Sequence, residues 1–92
     1  MISKTNLIEI IAREENITKK DVEKVINKAI DTIIQAVSDG EKVNIKSFGT
    51  FISRNRTERT GHDPRTGQSI IIEAHKTPSF KAGKAFKQSV NR

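Results

Sequence analysis

Arg54, Arg56, Arg59 and Arg65 fall close together in the second half of the chain, joined by Lys76 and by His62 and His75. Over residues 52–79 only Glu58, Asp63 and Glu73 oppose them in sign. Guanidinium groups suit phosphate, because each offers a fork of N–H donors and a charge that does not titrate away. The one cluster of large apolar residues in this stretch is Ile70, Ile71 and Ile72, too little apolar surface for a core. Thr57, Thr60 and the isoleucines nonetheless favour strands, and Asp63-Pro64-Arg65-Thr66-Gly67 reads as a chain reversal. The expectation is a two-stranded ribbon whose positive charge is meant for a partner.

Composition narrows the partner. The chain has 92 residues and a formal net charge of +6, with a sequence pI of about 9.9, a balance that suits a polyanion. It has no cysteine, which removes disulfides, zinc ribbons and thiol catalysis together. His62 and His75 lie inside the ribbon without nucleophile context or metal-ligand spacing. Gly61, Gly67 and Gly83 lack the spacing of a phosphate-binding loop. No catalytic residue, metal, cofactor or small-molecule substrate is expected. The stretch from Met1 to Arg13 is interrupted by Lys4 and Glu9, so it reads neither as a signal peptide nor as a membrane span. A soluble, cytoplasmic protein is expected.

The elements that must carry the ribbon are legible on either side of it. Ser3 can cap a first helix with Leu7, Ile8, Ile11 and Ala12 on one face, and Asn16-Ile17 ends it. Thr18-Lys19-Lys20-Asp21 resembles a capping box with Asp at its last position. Val22, Val25, Ile26, Ala29, Ile30, Ile33, Ile34 and Val37 then keep a helical rhythm up to Ser38-Asp39-Gly40, with Gly40 as the left-handed C′ residue. A base-reading role for this second helix is disfavoured, since its exposed side (Glu23, Lys24, Asn27, Lys28, Asp31) is a mixed, solvated face.

Lys42 to Ile45 alternates as a short strand, and a turn near Ser47 leads into a second strand through Ile52. Phe48, Phe51 and Phe80 flank the two ends of the ribbon. Stacking against unpaired bases is one use for such rings, but burial in a core is favoured, because no Tyr or Trp accompanies them. Ala82 to Val90 predicts a short helix with Ala85, Phe86 and Val90 inward. Lys81, Lys84 and Lys87 recur every three residues and would share a face, either solvated or phosphate-binding. No repeat, low-complexity tract or linker divides the chain. Residues 1–92 form a single α+β domain, with 1–51 and 80–92 as body and 52–79 as arm. A body this small invites oligomerisation as a source of further burial.

Taken in order, Phe48-Gly49-Thr50-Phe51, then Arg54, Arg56 and Arg59, then Asp63-Pro64-Arg65-Thr66-Gly67, then Pro78-Ser79-Phe80-Lys81-Ala82-Gly83-Lys84 resemble the bacterial HU and integration host factor family. The similarity extends over essentially the whole chain, including the two N-terminal helices and Gly40-Glu41-Lys42-Val43. Both family branches are standard examples of architectural minor-groove binders. The resemblance implies an intertwined dimer, a saddle-shaped sheet and two β-ribbon arms that bend duplex DNA, in a nucleoid-associated protein. By position, Arg54, Arg56 and Arg59, with His62, Arg65 and Lys76, are implied as arm contacts, and Pro64 as the wedge at the arm tip. Lys4, Lys46, Lys81, Lys84 and Lys87 are implied as body contacts to flanking phosphates, and Phe48, Phe51 and Phe80 as the dimer's aromatic heart.

The chain departs from the family pattern at Ser47, where glycine is usual, at His62 for arginine and at Asp63 for asparagine. A carboxylate at the tip predicts repulsion from phosphate. A homodimer of HU type, largely indifferent to sequence, is the expected reading. An integration host factor-type subunit with site preference stays open, as does, from another class, an RNA-binding or structural interaction protein.

Overall fold

The computed structural model describes the backbone of all 92 residues and every side chain except those of Arg59 and Ile72. The chain divides into two units, Met1–Gln35 and Ala36–Arg92.

The first unit is a helical hairpin. Helix α1 (Lys4–Glu15) starts where the Ser3 hydroxyl accepts the Asn6 N–H, and the Asn6 side chain accepts the Ser3 N–H in return. This reciprocal box satisfies two of the donors that a helix start leaves unpaired. Asn16 ends the helix in the left-handed region, φ 55°, which a short amide side chain tolerates better than most. Helix α2 (Lys19–Ser38) opens with the Asp21 N–H donated to the Thr18 hydroxyl at 3.2 Å. Ile8, Ala12 and Val22 are buried between the helices, with Ile11 and Ile26 packed against them.

Helix α2 ends in the second unit with a Schellman motif. The Glu41 N–H reaches the Ala36 carbonyl and the Gly40 N–H the Val37 carbonyl, with Gly40 at φ 86°. Strand β1 (Val43–Ile45) then pairs with β2 (Gly49–Arg56), and β2 pairs along its whole length with β5 (His75–Ala82), giving an antiparallel sheet in the order β1-β2-β5. Strands β3 (Arg59–His62) and β4 (Ser69–Ile72) form a separate two-stranded ladder. The pairing runs unbroken through Ile52 and Ser79, and the interruption falls at residues 57–58 and 73–74. The ribbon is thus a direct continuation of the sheet's two longest strands.

A tight turn joins β1 to β2, closed by the Phe48 N–H on the Ile45 carbonyl at 3.0 Å. Ser47 is its third residue and sits at φ 67°, where a turn of this kind favours glycine. A left-handed φ costs an ordinary L-residue about 1–2 kcal/mol.

Helix α3 (Lys84–Val90) starts two residues later than the expected Ala82, because Ala82 stays in β5, paired with Gly49, and Lys81 beside it pairs with Thr50. The expected face of three lysines on one helix is therefore corrected. Lys84 and Lys87 lie on α3, whereas Lys81 belongs to the sheet. Lys81 and Ala82 complete a ladder that begins at Gly49, and those backbone bonds outweigh one more turn at a helix end.

Phe48, Phe51 and Phe80 gather, and Phe86 from α3 joins them. The Phe51 and Phe80 centroids are 4.8 Å apart, Phe48 and Phe80 are at 5.1 Å, and Phe48 stacks on Phe86 at 5.4 Å. Phe48 is still 41% exposed, Phe80 38% and Phe86 36%, so a single chain leaves this cluster half-covered. Val25, Ile30 and Ile34 of α2 are exposed as well.

Gly49 permits the ring arrangement. A Cβ there would lie 2.5 Å from the Phe80 ring and 2.6 Å from the Lys81 carbonyl oxygen, and the carbonyl, as backbone of β5, cannot retreat without disturbing the β2–β5 ladder. Gly49→Ala is expected to destabilise the fold by about 1–3 kcal/mol, the usual cost of overpacking. Urea unfolding at fixed protein concentration measures it, and an unshifted midpoint would refute this role for the glycine.

Candidate nucleic-acid interface

The register of β2 against β5 sorts side chains by face. Phe51 opposes Phe80, and Asn55 opposes Lys76. Because strands alternate faces with period two, Thr50, Ile52, Arg54 and Arg56 point the other way, with Lys81, Ser79, Thr77 and His75 as their cross-strand neighbours. One face thus holds the aromatic rings and the opposite one holds Lys81, Arg54, Arg56 and His75. The three Lys and Arg side chains are exposed. Lys76 is exposed too, but it falls on the ring-bearing face and does not join the arginines.

Farther along the ribbon, Arg59 pairs through its backbone with Ile72, and His62 with Ser69. The side chain of Arg59 lies outside the described residues. His62, Pro64 and Arg65 are exposed at or beside the reversal. Asp63 builds that reversal. Its N–H donates to the Gln68 carbonyl at 2.8 Å and its carbonyl accepts from the Gly67 N–H at 2.7 Å. Its carboxylate accepts the Arg65 N–H at 2.9 Å and lies 3.8 Å from the Arg65 guanidinium. Gly67 supplies the left-handed φ of 74° that closes the turn. The carboxylate expected to repel phosphate is therefore also occupied within the tip, where it partly neutralises Arg65. So exposed a pair contributes little to stability, but it sets the local charge.

A second basic cluster forms where the β1–β2 turn meets the start of α3. An open pocket there is lined by Lys46, Ser47, Lys81, Gly83, Lys84 and Gln88, among others, and no carboxylate is among its lining residues. Two stretches distant in sequence, 44–50 and 81–88, converge on it, so Lys46, Lys81 and Lys84 share a site although they share no helix. Lys87 does not line this pocket. Lys4 belongs to the first unit, where its ammonium donates to the Asn27 side chain at 2.9 Å.

Sequence reasoning left the roles of two residues incomplete. Phe86 was expected to point inward but not to complete the aromatic group. The scarcity of aromatics, four phenylalanines and no Tyr or Trp, was the available signal that all four would share one cluster. Ser47 is expected from sequence at a turn and as a departure that alters a close backbone approach to phosphate, and the structure adds its φ of 67° and its place on the basic pocket.

Among the described residues, no group of three or more His, Cys, Asp or Glu could hold a metal ion, and no helix is long and apolar enough to cross a membrane. A cationic strand face continuing into a basic ribbon, backed by aromatic rings, defines a β-ribbon binder of an extended polyanion. Comparison with known proteins agrees. The family model for bacterial DNA-binding proteins matches residues 2–91. HU 1 of Bacillus subtilis is 42% identical over 89 residues, 97% of each chain. HU of Synechocystis is 51% identical over 76 residues, 83% of this chain and 76% of its own. A cocrystal structure of Anabaena HU with DNA superposes with a TM-score of 0.90 at 41% identity, covering 96% of both chains. HU from Thermotoga maritima superposes with a TM-score of 0.67 at 31% identity, covering 96% of this chain and 97% of its own. The chain belongs to the HU family of bacterial DNA-binding proteins.

The tip geometry yields a test. Asp63→Asn keeps an oxygen to accept the Arg65 N–H and removes the charge that opposes Arg65. Tighter binding to duplex DNA is expected, with the slope of log K against log salt steeper by up to about 0.9, one more phosphate neutralised per released arginine. Titrations at several salt concentrations read it. Unchanged affinity and slope would mean that the carboxylate only builds the turn.

Proposed function

We propose that the protein acts as a dimeric, HU-type architectural protein that binds double-stranded DNA largely irrespective of sequence and bends it through minor-groove β-arms. The observation that carries this reading is the segregation of faces on β2 and β5, which presents Lys81, Arg54 and Arg56 to a partner on the side away from the rings. Contacts of this kind reach phosphate and sugar, which are the same for every sequence, so they position a duplex without reading it. Arg54, Arg56 and Arg59, with His62 and Arg65, form the arm's contacts, and Lys76 adds positive charge from the ring-bearing face of β5. Lys46, Lys81 and Lys84, with Lys4 and Lys87, hold the flanking duplex. An RNA duplex is a poorer match, because its minor groove is wide and shallow. With DNA as its partner, the protein works in the cytoplasm, on the nucleoid.

The half-covered phenylalanine cluster supports a second copy as the missing cover. Fully burying each ring contributes roughly 1.5–3 kcal/mol, and the exposed apolar residues of α2 add to the demand. Sedimentation at micromolar concentration is expected to show a dimer, and a well-folded monomer there would overturn this assembly.

Pro64 supplies the bend. Its ring is rigid, carries no N–H to satisfy and is exposed at the tip of a basic ribbon. Such a ring can enter a base step, where unstacking costs a few kcal/mol, offset by the extra contact that bent DNA makes. A salt slope of about −5 or steeper is expected on duplexes of scrambled sequence. Pro64→Ala should keep that slope while reducing the bend, measured by energy transfer between labelled duplex ends. A flat salt response would overturn the DNA-binding reading, whereas an unchanged bend would reduce Pro64 to a turn residue.

A further inference from the structure

Ser47 occupies a backbone conformation that glycine adopts at less cost, and no contact among the described residues repays it. At φ 67° the residue is strained. Serines in turns commonly bond back to nearby backbone, yet this hydroxyl makes no hydrogen bond to any described residue. It lines the same pocket as Lys46, Lys81 and Lys84. Two neutral donors beside the turn are already engaged, and the Gln88 amide stands across the pocket on α3. The Gly83 N–H is given to the Phe48 carbonyl at 2.8 Å, and the Asn44 amide donates to the Thr50 hydroxyl at 2.7 Å. An uncommitted O–H donor thus stands among three ammonium groups with no carboxylate lining the site. Strain that persists at such a place points to a ligand contact.

We propose that Ser47 is a phosphate-contact residue, its hydroxyl donating a hydrogen bond to a DNA backbone phosphate that Lys46, Lys81 and Lys84 draw into the pocket. This rests on the DNA-binding reading above and adds a donor to it. The ammonium groups supply long-range attraction with little directional demand, since each is a point charge on a flexible stem. A hydroxyl on a tight turn has a short reach and a fixed origin, so it registers the phosphate against the body. The strain is then the cost of placing a side chain where only glycine would be comfortable.

Three substitutions separate strain from contact. Ser47→Gly relieves the backbone and removes the donor. Ser47→Ala keeps the strain without the donor, and Ser47→Asn tolerates a left-handed φ while keeping an N–H donor. The glycine variant is expected to unfold at higher urea yet to bind a labelled duplex about 5-fold or more weakly, since hydrogen bonds to charged groups are among the stronger ones. Its salt slope should match the parent's, because a neutral donor releases no counterion. The alanine variant should lose comparable affinity without gaining stability, and the asparagine variant should bind within about 2-fold of the parent.

Binding by Ser47→Gly as tight as the parent's, or tighter, would overturn the proposal. Lys81→Ala and Lys84→Ala, measured alongside, should each reduce the slope by about one for each copy in the dimer that meets phosphate. If both leave slope and affinity unchanged, the pocket does not meet DNA at all, and the failure lies with the DNA reading of this site rather than with the hydroxyl.

Discussion

The pairing of Phe51 with Phe80 across β2 and β5 is the constraint on which the second unit depends. A strand has two faces and a period of two, so fixing one cross-strand pair fixes the side on which every neighbour lies. With the rings 4.8 Å apart on one side, Lys81, Arg54 and Arg56 must occupy the other. A slip of one residue would turn the arginines in among the phenylalanines. Gly49 guards against such a slip, because the Phe80 ring and the Lys81 carbonyl fill the space where a side chain would stand. The same ladder that builds the aromatic cluster therefore aims the charge, and stability and binding are two faces of one register.

The chain's small size explains why Arg54 and Arg56 sit exposed on a strand rather than in a core. Ile8, Ala12 and Val22 are the only buried large or methyl-bearing apolar side chains among the described residues, and charges buried in so thin a body would lack the surroundings needed to compensate them. A ribbon solves this by projecting arginine from backbone that needs no core of its own, since a ladder satisfies its hydrogen bonds internally. The reversal at residues 63–67 is likewise self-sufficient. Asp63 closes it through main chain and carboxylate together, at the cost of a negative charge beside the residues that face phosphate.

Left-handed backbone at non-glycine positions distinguishes a structural solution from a functional one. At Asn16 the conformation ends α1, and the cap N–H finds the Ala12 carbonyl, so the geometry is repaid locally. At Ser47 the turn would close equally well with glycine, and the hydroxyl finds no described partner. The two residues share a φ region but not a reason for it.

Much of this molecule follows from the order of its residues. The helix limits at Ser3, Asn16 and Gly40, the β1–β2 turn, the reversal at Asp63 to Gly67 and the basic character of the ribbon are local, and each rests on chemistry within a few positions. The motifs from Phe48 to Lys84 likewise sufficed to point to the family. What local order leaves undetermined is which distant residues meet. Lys81, Lys84 and Lys87 have helical spacing, yet a ladder to Gly49 and Thr50 holds Lys81 in a strand, because backbone pairing across the sheet outweighs a short helix's propensity. Phe86 joins the other rings and Lys46 joins Lys81 and Lys84 only when β1, β5 and α3 converge. The separation of Lys76 from Arg54 and Arg56 is decided by register, a relation between two strands that neither strand contains alone.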